Sequence, residues 1–270
     1  MSDRRVWCVY FSATGGVKKI VNQITRALCE KLECDRRTLD LSTPAGREKP
    51  PLFQPGDIVV CALPVYAGRV PNVLLPYLRT IRGQGAYAVP VVVYGNRSYD
   101  YALRELQGLL EEGGCTCIAA AAFVAQHSFS ADLAAGRPDW NDVSVISTFS
   151  HELAAKILDG DLSPVQVPGE YPPPAYYQPR DEQGQPLDFL KAKPRTGPGC
   201  NGCGFCAAVC PTGAIDPQDP TAVTGVCIKC NACVKRCVRQ AKFFDDPAYL
   251  THLRILEETC TERKEPELFW

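Results

Sequence analysis

Histidine is scarce, three in 270 residues. The three fall in no metal-ligating pattern, and no Ser–His–Asp arrangement is discernible. No apolar run approaches the length of a bilayer-spanning helix, so no membrane span is expected. Neither charge sign dominates: 29 Lys and Arg face 30 Asp and Glu, a net charge of −1. That balance argues against a nucleic-acid partner selected by bulk electrostatics. The Gly-x4-Gly-Lys-Ser/Thr and G-x-G-x-x-G patterns are both missing, which sets aside a nucleoside triphosphate and a Rossmann dinucleotide. Direct NAD(P)H oxidation is accordingly the less expected donor reaction. The start of the chain carries no apolar signal segment, and with 15 cysteines the expected setting is a reducing cytoplasm.

Cysteine and proline, by contrast, are plentiful. Cys200, Cys203, Cys206 and Cys210 recur 27 positions later as Cys227, Cys230, Cys233 and Cys237, each run reading C-x2-C-x2-C-x3-C. Three thiolates from one tight loop can wrap a cubane cluster, while the fourth swings toward a neighbouring cluster. This pairs Cys200, Cys203, Cys206 and Cys237 on one 4Fe–4S cluster. Cys227, Cys230, Cys233 and Cys210 would hold a second. Zinc is the rival ligand, although structural zinc sites draw two pairs from separated knuckles. The segments C-N-G-C-G-F-C-A-A-V-C-P-T-G-A-I and C-I-K-C-N-A-C-V-K-R-C-V-R-Q-A-K resemble the bacterial two-cluster ferredoxins over about 50 residues. A small α+β domain of that type is what the resemblance implies. Val238 departs from it, standing where the second run would usually show proline.

The other seven cysteines read as structural. Cys8, Cys61, Cys115 and Cys117 fall in predicted strands, Cys29 and Cys34 near the end of the first helix, and Cys260 in the tail.

Upstream, apolar strands alternate with amphipathic helices. Strands are expected at 6–11, 36–41, 57–62, 86–94 and 116–126, and helices at 16–33, 71–82, 99–112 and 140–159. Five such alternations predict an α/β doubly wound sheet of five parallel strands, with ligands beyond the carboxyl ends. The loop after the first strand, F-S-A-T-G-G-V, offers two hydroxyls and two glycines leading into a helix N-terminus, a cradle for a monophosphate. It has no acidic cluster of the kind a signalling receiver needs. Any tight turn uses the same residue types, so the loop does not decide alone.

Two more strand-end loops, L-P-V-Y-A-G-R-V-P and Y-G-N-R-S-Y-D-Y, each bring tyrosine and glycine. Together the three loops resemble those of the flavodoxins, over roughly residues 4–160. The resemblance implies FMN, its phosphate held by Ser12, Ala13, Thr14, Gly15, Gly16 and Val17. It implies ring contacts from Pro64, Val65, Tyr66, Ala67 and Gly68, and from Gly95, Asn96, Arg97, Tyr99 and Asp100. Tyr99 would stack on one face of the ring, with Tyr66 at the other face or edge. Val17 stands where the family usually has a hydroxyl residue. Arg97 is either a charge near the flavin or a solvated side chain. His127, at the end of the fifth strand, is either polar surface or a contact to flavin or the domain interface.

The expected organisation is a flavodoxin-like FMN domain at 1–162, a Pro-rich linker at 163–198, a two-cluster domain at 199–246 and a helical tail at 247–270. Nine prolines make the linker extended, and its interleaved Tyr171, Tyr176, Tyr177 and Phe189 suggest a strap lying on the first domain. Asp246 and Pro247 suit the cap and first position of a tail helix. Over nearly its full length the chain resembles flavodoxin–ferredoxin fusions. That implies electron transfer between FMN and two 4Fe–4S clusters, coupling one- and two-electron partners such as a ferredoxin-type donor or acceptor. The alternatives are an FMN-dependent reductase fed by the clusters and a redox-sensing module. Oligomeric state is not legible in the chain.

Overall fold

The apolar run at 58–63 becomes β3 (Ile58–Pro64), which is buried on both faces, as strands of a parallel sheet between helical layers must be. The computed structural model describes residues 4–270; residues 1–3 of the first expected domain lie outside them. β1 (Arg5–Tyr10) pairs in parallel with β2 (Asp35–Asp40) on one side and with β3 on the other. β4 (Tyr87–Tyr94) follows β3. The strand expected at 116–126 forms as two pieces, β5 (Thr116–Cys117) and β6 (Ala120–Val124), both parallel to β4. Their registers differ by one residue, a bulge that interrupts the ladder at the sheet edge.

Helices cover both faces. On one, α1 (Gly16–Leu32) and α4 (Trp140–Leu158) bury a stripe that includes Ile20, Ile24, Leu28, Phe149 and Leu153. Truncating any of these to alanine would cost about 2–5 kcal/mol. Asp139 starts α4 through a capping box with Asp142. On the other face α3 (Ala102–Glu112) packs Leu103, Leu106 and Leu110 against Phe11, Leu63 and Val92. α3 starts at 102, later than its sequence pattern suggests, because Asp100 holds a left-handed φ of 41°. The helix expected at 71–82 shrinks to a 3-10 turn, Asn72–Leu74, and the single turn α2 (Leu75–Leu78), with Pro71 at the cap and not inside.

The winding reverses at β1, so a crevice opens beyond the ends of β1 and β3. Residues 163–177 lie along this domain. Val165 N donates to Cys117 O at 2.8 Å, Gln107 Nε2 donates to Val165 O at 2.7 Å, and Tyr176 Oη donates to Val70 O at 2.9 Å. β7 (Arg195–Thr196) falls inside the expected linker yet pairs with β8 (Lys242–Phe243), so the cluster module begins before residue 199. Its two cysteine runs enclose the short helices α5 (Phe205–Ala208) and α6 (Ala232–Lys235).

The tail opens with α7 (Pro247–Thr259), where the Asp246 carboxylate accepts from Tyr249 N at 3.0 Å. It is not wholly helical. β9 (Glu267–Phe269) adds antiparallel to β6 and covers its outer edge, which no other strand pairs among the described residues. Asn96 secures it: Nδ2 donates to Cys260 O and Glu262 O at 2.7 and 2.9 Å, and Oδ1 accepts from Lys264 N at 3.1 Å.

Candidate cofactor sites

At the switch point the loops after β1, β3, β4 and β6 surround an open cleft. Ser12, Ala13, Thr14, Gly16 and Val17 form one end. Gly15 sits there at φ 106°, a conformation costly to any other residue, with open space above its α-carbon. The Ser12 hydroxyl is committed locally, accepting from Lys18 N at 3.0 Å. Gly16 and Val17 open α1, so helix geometry leaves their amides without intrahelical acceptors. Such an end suits a phosphate. A β-carbon on Gly16 would stand 3.0 Å from that of Ala125, which is why the loops can approach this closely.

The second wall is Pro64, Val65 and Tyr66. Tyr66 N donates to Arg69 O at 2.8 Å and Arg69 N returns to Tyr66 O at 3.1 Å, with Ala67 and Gly68 both left-handed between them. This is a tight turn of the I′ kind. Ala67 and Gly68 therefore make the turn and do not line the cleft. The Tyr66 ring meets Phe11 edge-on at 6.3 Å. Burial, and then Cys230 and Cys227 beside it, push its hydroxyl well above the usual tyrosine range.

The loop after β4 departs from the expectation. Gly95 lines the cleft, but Tyr99 does not. Its hydroxyl donates to Glu267 at 2.7 Å, and its ring leans on Tyr94 at 5.5 Å. The tail carboxylate and the Tyr94 ring thus fix the Tyr99 side chain. Asn96 is spent on the tail, as described. Arg97 pairs with Asp100 and lies 4.4 Å above the Tyr177 ring of the strap. The fourth wall is Ala125–Ser128, of which only His127 was singled out from sequence.

The cluster module repeats its backbone as well as its cysteines. Gly202, Gly204 and Gly213 have left-handed φ, and so do Lys229, Asn231 and Gln240, each 27 positions on. Sulfur contacts repeat too. Gly202 N donates to Cys200 and Lys229 N to Cys227, at 3.5 and 3.4 Å; Ala214 N donates to Cys210 and Ala241 N to Cys237, at 3.2 and 3.3 Å. Amides aimed at sulfur favour the thiolate. At Cys237 burial acts upward, but four backbone N–H groups outweigh it and hold the thiol below its ordinary value.

Cys210, Cys227, Cys230 and Cys233 line one small cavity, walled by Pro211, Ile215, Ile228 and Phe244. Burial pushes Cys230 and Cys233 up to about 12. A metal would have to displace those protons. Among the described residues no three His, Cys, Asp or Glu groups are placed to hold a single ion. Cys203, of the first run, is exposed, with Cys200 and Cys206 half-buried. Pro211 is buried and its carbonyl accepts from Arg47 at 2.5 Å, whereas Val238, its counterpart, is 88% exposed at the free end. Only the first position therefore sits at the junction between modules.

Residues 199–216 match the family described as 4Fe-4S binding domain. The order β2-β1-β3-β4-β6 is the flavodoxin-like winding. The chain fuses a flavodoxin-like domain to a 4Fe–4S binding domain. Among solved structures, the fusion is similar to a flavodoxin from the domain Archaea at 13% identity, covering 57% of this chain and 99% of that one, TM-score 0.40. For a Streptococcus pneumoniae TIGR4 flavodoxin the values are 17%, 57%, 98% and 0.39. For the apo form of an NADH:FMN oxidoreductase they are 13%, 57%, 90% and 0.41. No curated protein matches. Among the described residues of the fusion, no helix is long and apolar enough to cross a membrane.

Proposed function

We propose that the fusion carries electrons between FMN and two 4Fe–4S clusters within one chain, coupling one-electron protein partners to two-electron ones. The observation that supports this most directly is Tyr66, which lines the cleft and also lies beside Cys230 and Cys227. Its ring packs against the group of buried side chains that includes Cys230, which brings the cleft close to the cysteines of the inner cluster.

The residues suit the groups. The amides of Gly16 and Val17 and the Thr14 hydroxyl would hold the phosphate, while Tyr66, Gly95 and the Gln126–Ser128 stretch would bound the ring. Cys227, Cys230, Cys233 and Cys210 would ligate the inner cluster, and Cys200, Cys203, Cys206 and Cys237 the outer one. When bound, the flavin supplies one- or two-electron capacity and each cluster one-electron capacity. The chain's own contribution is placement. Burial keeps the Tyr66 hydroxyl protonated, so this side chain brings no charge to the cleft. The backbone amides at the sulfurs stabilise negative charge there. A strap fixed along the first domain keeps the partners together at high effective concentration. Fifteen cysteines and these oxygen-sensitive groups fit a reducing, cytoplasmic compartment, with redox proteins of the ferredoxin type as donor or acceptor.

Anaerobic reconstitution should give one FMN and about eight irons per chain. In stopped flow, electron exchange between clusters and flavin should proceed at a rate independent of protein concentration. A rate that scales with concentration, or zinc in place of iron, overturns the reading. Steady turnover of a small organic acceptor would instead identify a reductase.

A further inference from the structure

The Ala125–Ser128 wall of the cleft has no counterpart in the three loops of the flavin resemblance. His127 lies within it. Phe129 N donates to His127 Nδ1 at 3.1 Å, so Nδ1 is an acceptor and a neutral ring carries its proton on Nε2. Among the described residues nothing accepts from Nε2, and that atom is not among the buried polar atoms lacking a partner. The ring is fixed from two sides. Phe129 packs edge-on at 5.4 Å, and Gly95 lies so close that a β-carbon there would overlap Cδ2 and Cγ. Nε2 adjoins Cδ2 in the imidazole, which sets the donor beside Gly95, itself a cleft residue.

We propose that His127 is a fixed hydrogen-bond donor to the bound flavin, its Nε2–H meeting a carbonyl oxygen or ring nitrogen at the edge of the isoalloxazine. This rests on the flavin reading above. Burial keeps the ring neutral, bringing its pKa down to about 4; His252 of α7, Lys235 of α6 and Arg97 of the loop after β4 add to that effect. His127 therefore brings direction to the cleft and no charge. The Phe129 amide selects the tautomer and Gly95 the ring position, so both act as positioning groups.

The test uses the cluster-loaded protein with FMN removed and returned, binding being read by flavin fluorescence. His127→Gln retains an N–H donor and should bind FMN within about threefold of the parent. His127→Phe keeps a ring without the donor and should bind about tenfold more weakly. In oxidised, 15N-histidine-labelled parent protein, with only three histidines to assign, FMN should shift the Nε2–H resonance of His127. Phe binding like the parent, or Gln as weak as Phe, overturns the proposal. If the Phe variant does not fold, the resonance decides: an Nε2–H unmoved by FMN overturns it. A parent that binds no FMN fells both readings, whereas tight binding that ignores all substitutions at 127 fells this one alone.

Discussion

Glu105 grips Arg69 with both carboxylate oxygens inside the first domain, Nε to Oε2 at 3.2 Å and Nη2 to Oε1 at 2.5 Å. Glu105 also accepts from Val70 N at 3.0 Å, and the Arg69 guanidinium lies 4.3 Å over the Tyr176 ring of the strap. Arg69 ends the turn that presents Tyr66. The pair therefore joins the strap to the turn and, through Tyr66, to the wall of the cleft.

Glu105→Gln should destabilise the protein by about 2–3 kcal/mol, since it leaves a largely buried guanidinium without its counter-charge. Urea unfolding reads the loss. FMN affinity should fall too, because the Tyr66 turn loosens.

Asn96→Ala should free the tail. It removes the three hydrogen bonds to the tail, and a longer one from Arg137, at a buried residue and puts alanine at φ 70°. A cost of about 2–4 kcal/mol follows. Hydrogen exchange should show the amides of Glu267–Phe269 losing protection before those of β4, since β9 is held by a single neighbouring strand.

Cys230→Ser should remove one cluster, lowering iron from about eight to about four per chain. Cys61→Ser and Cys117→Ser, which alter buried sheet thiols, should retain the iron while costing stability. Elemental assay with acid-labile sulfide distinguishes these outcomes.

Acid should weaken the fold through two histidines. Burial brings His127 and His252 from 6.5 down to about 4. Because the folded value is depressed, the unfolded chain binds more protons between these limits, so this part of the stability is fully present above about pH 6.5 and is lost as pH falls toward 4. His252 stacks on Phe189 at 5.5 Å while its Nδ1 has no partner. His252→Phe should keep the stacking, leave pH 7 stability unchanged or higher, and flatten the decline; Tm measured across pH 4–7.5 would show it.

Much of this was legible in the chain. The cysteine runs are local: each spans eleven residues, and its spacing is set whatever surrounds it. Helical stripes such as Ile20, Ile24 and Leu28 were equally local, as was the Asp246–Pro247 start of α7. The β5–β6 bulge was not, because an extra residue in a ladder leaves the apolar run unbroken. The fate of Tyr99 was also hidden, since its partner Glu267 lies 168 positions away.

The sequence by itself therefore determined the spacing of the thiols, the alternation of strands and helices, and the glycines of the turn into α1, all of which depend on neighbours a few residues apart. Tertiary structure decided the rest: that the tail covers the outer edge of β6 and takes Asn96 and Tyr99 with it, that the strap claims Arg97, and that Tyr66 comes to lie beside Cys230. Those pairings depend on burial and hydrogen bonding between segments far apart in the chain, which residue spacing does not encode.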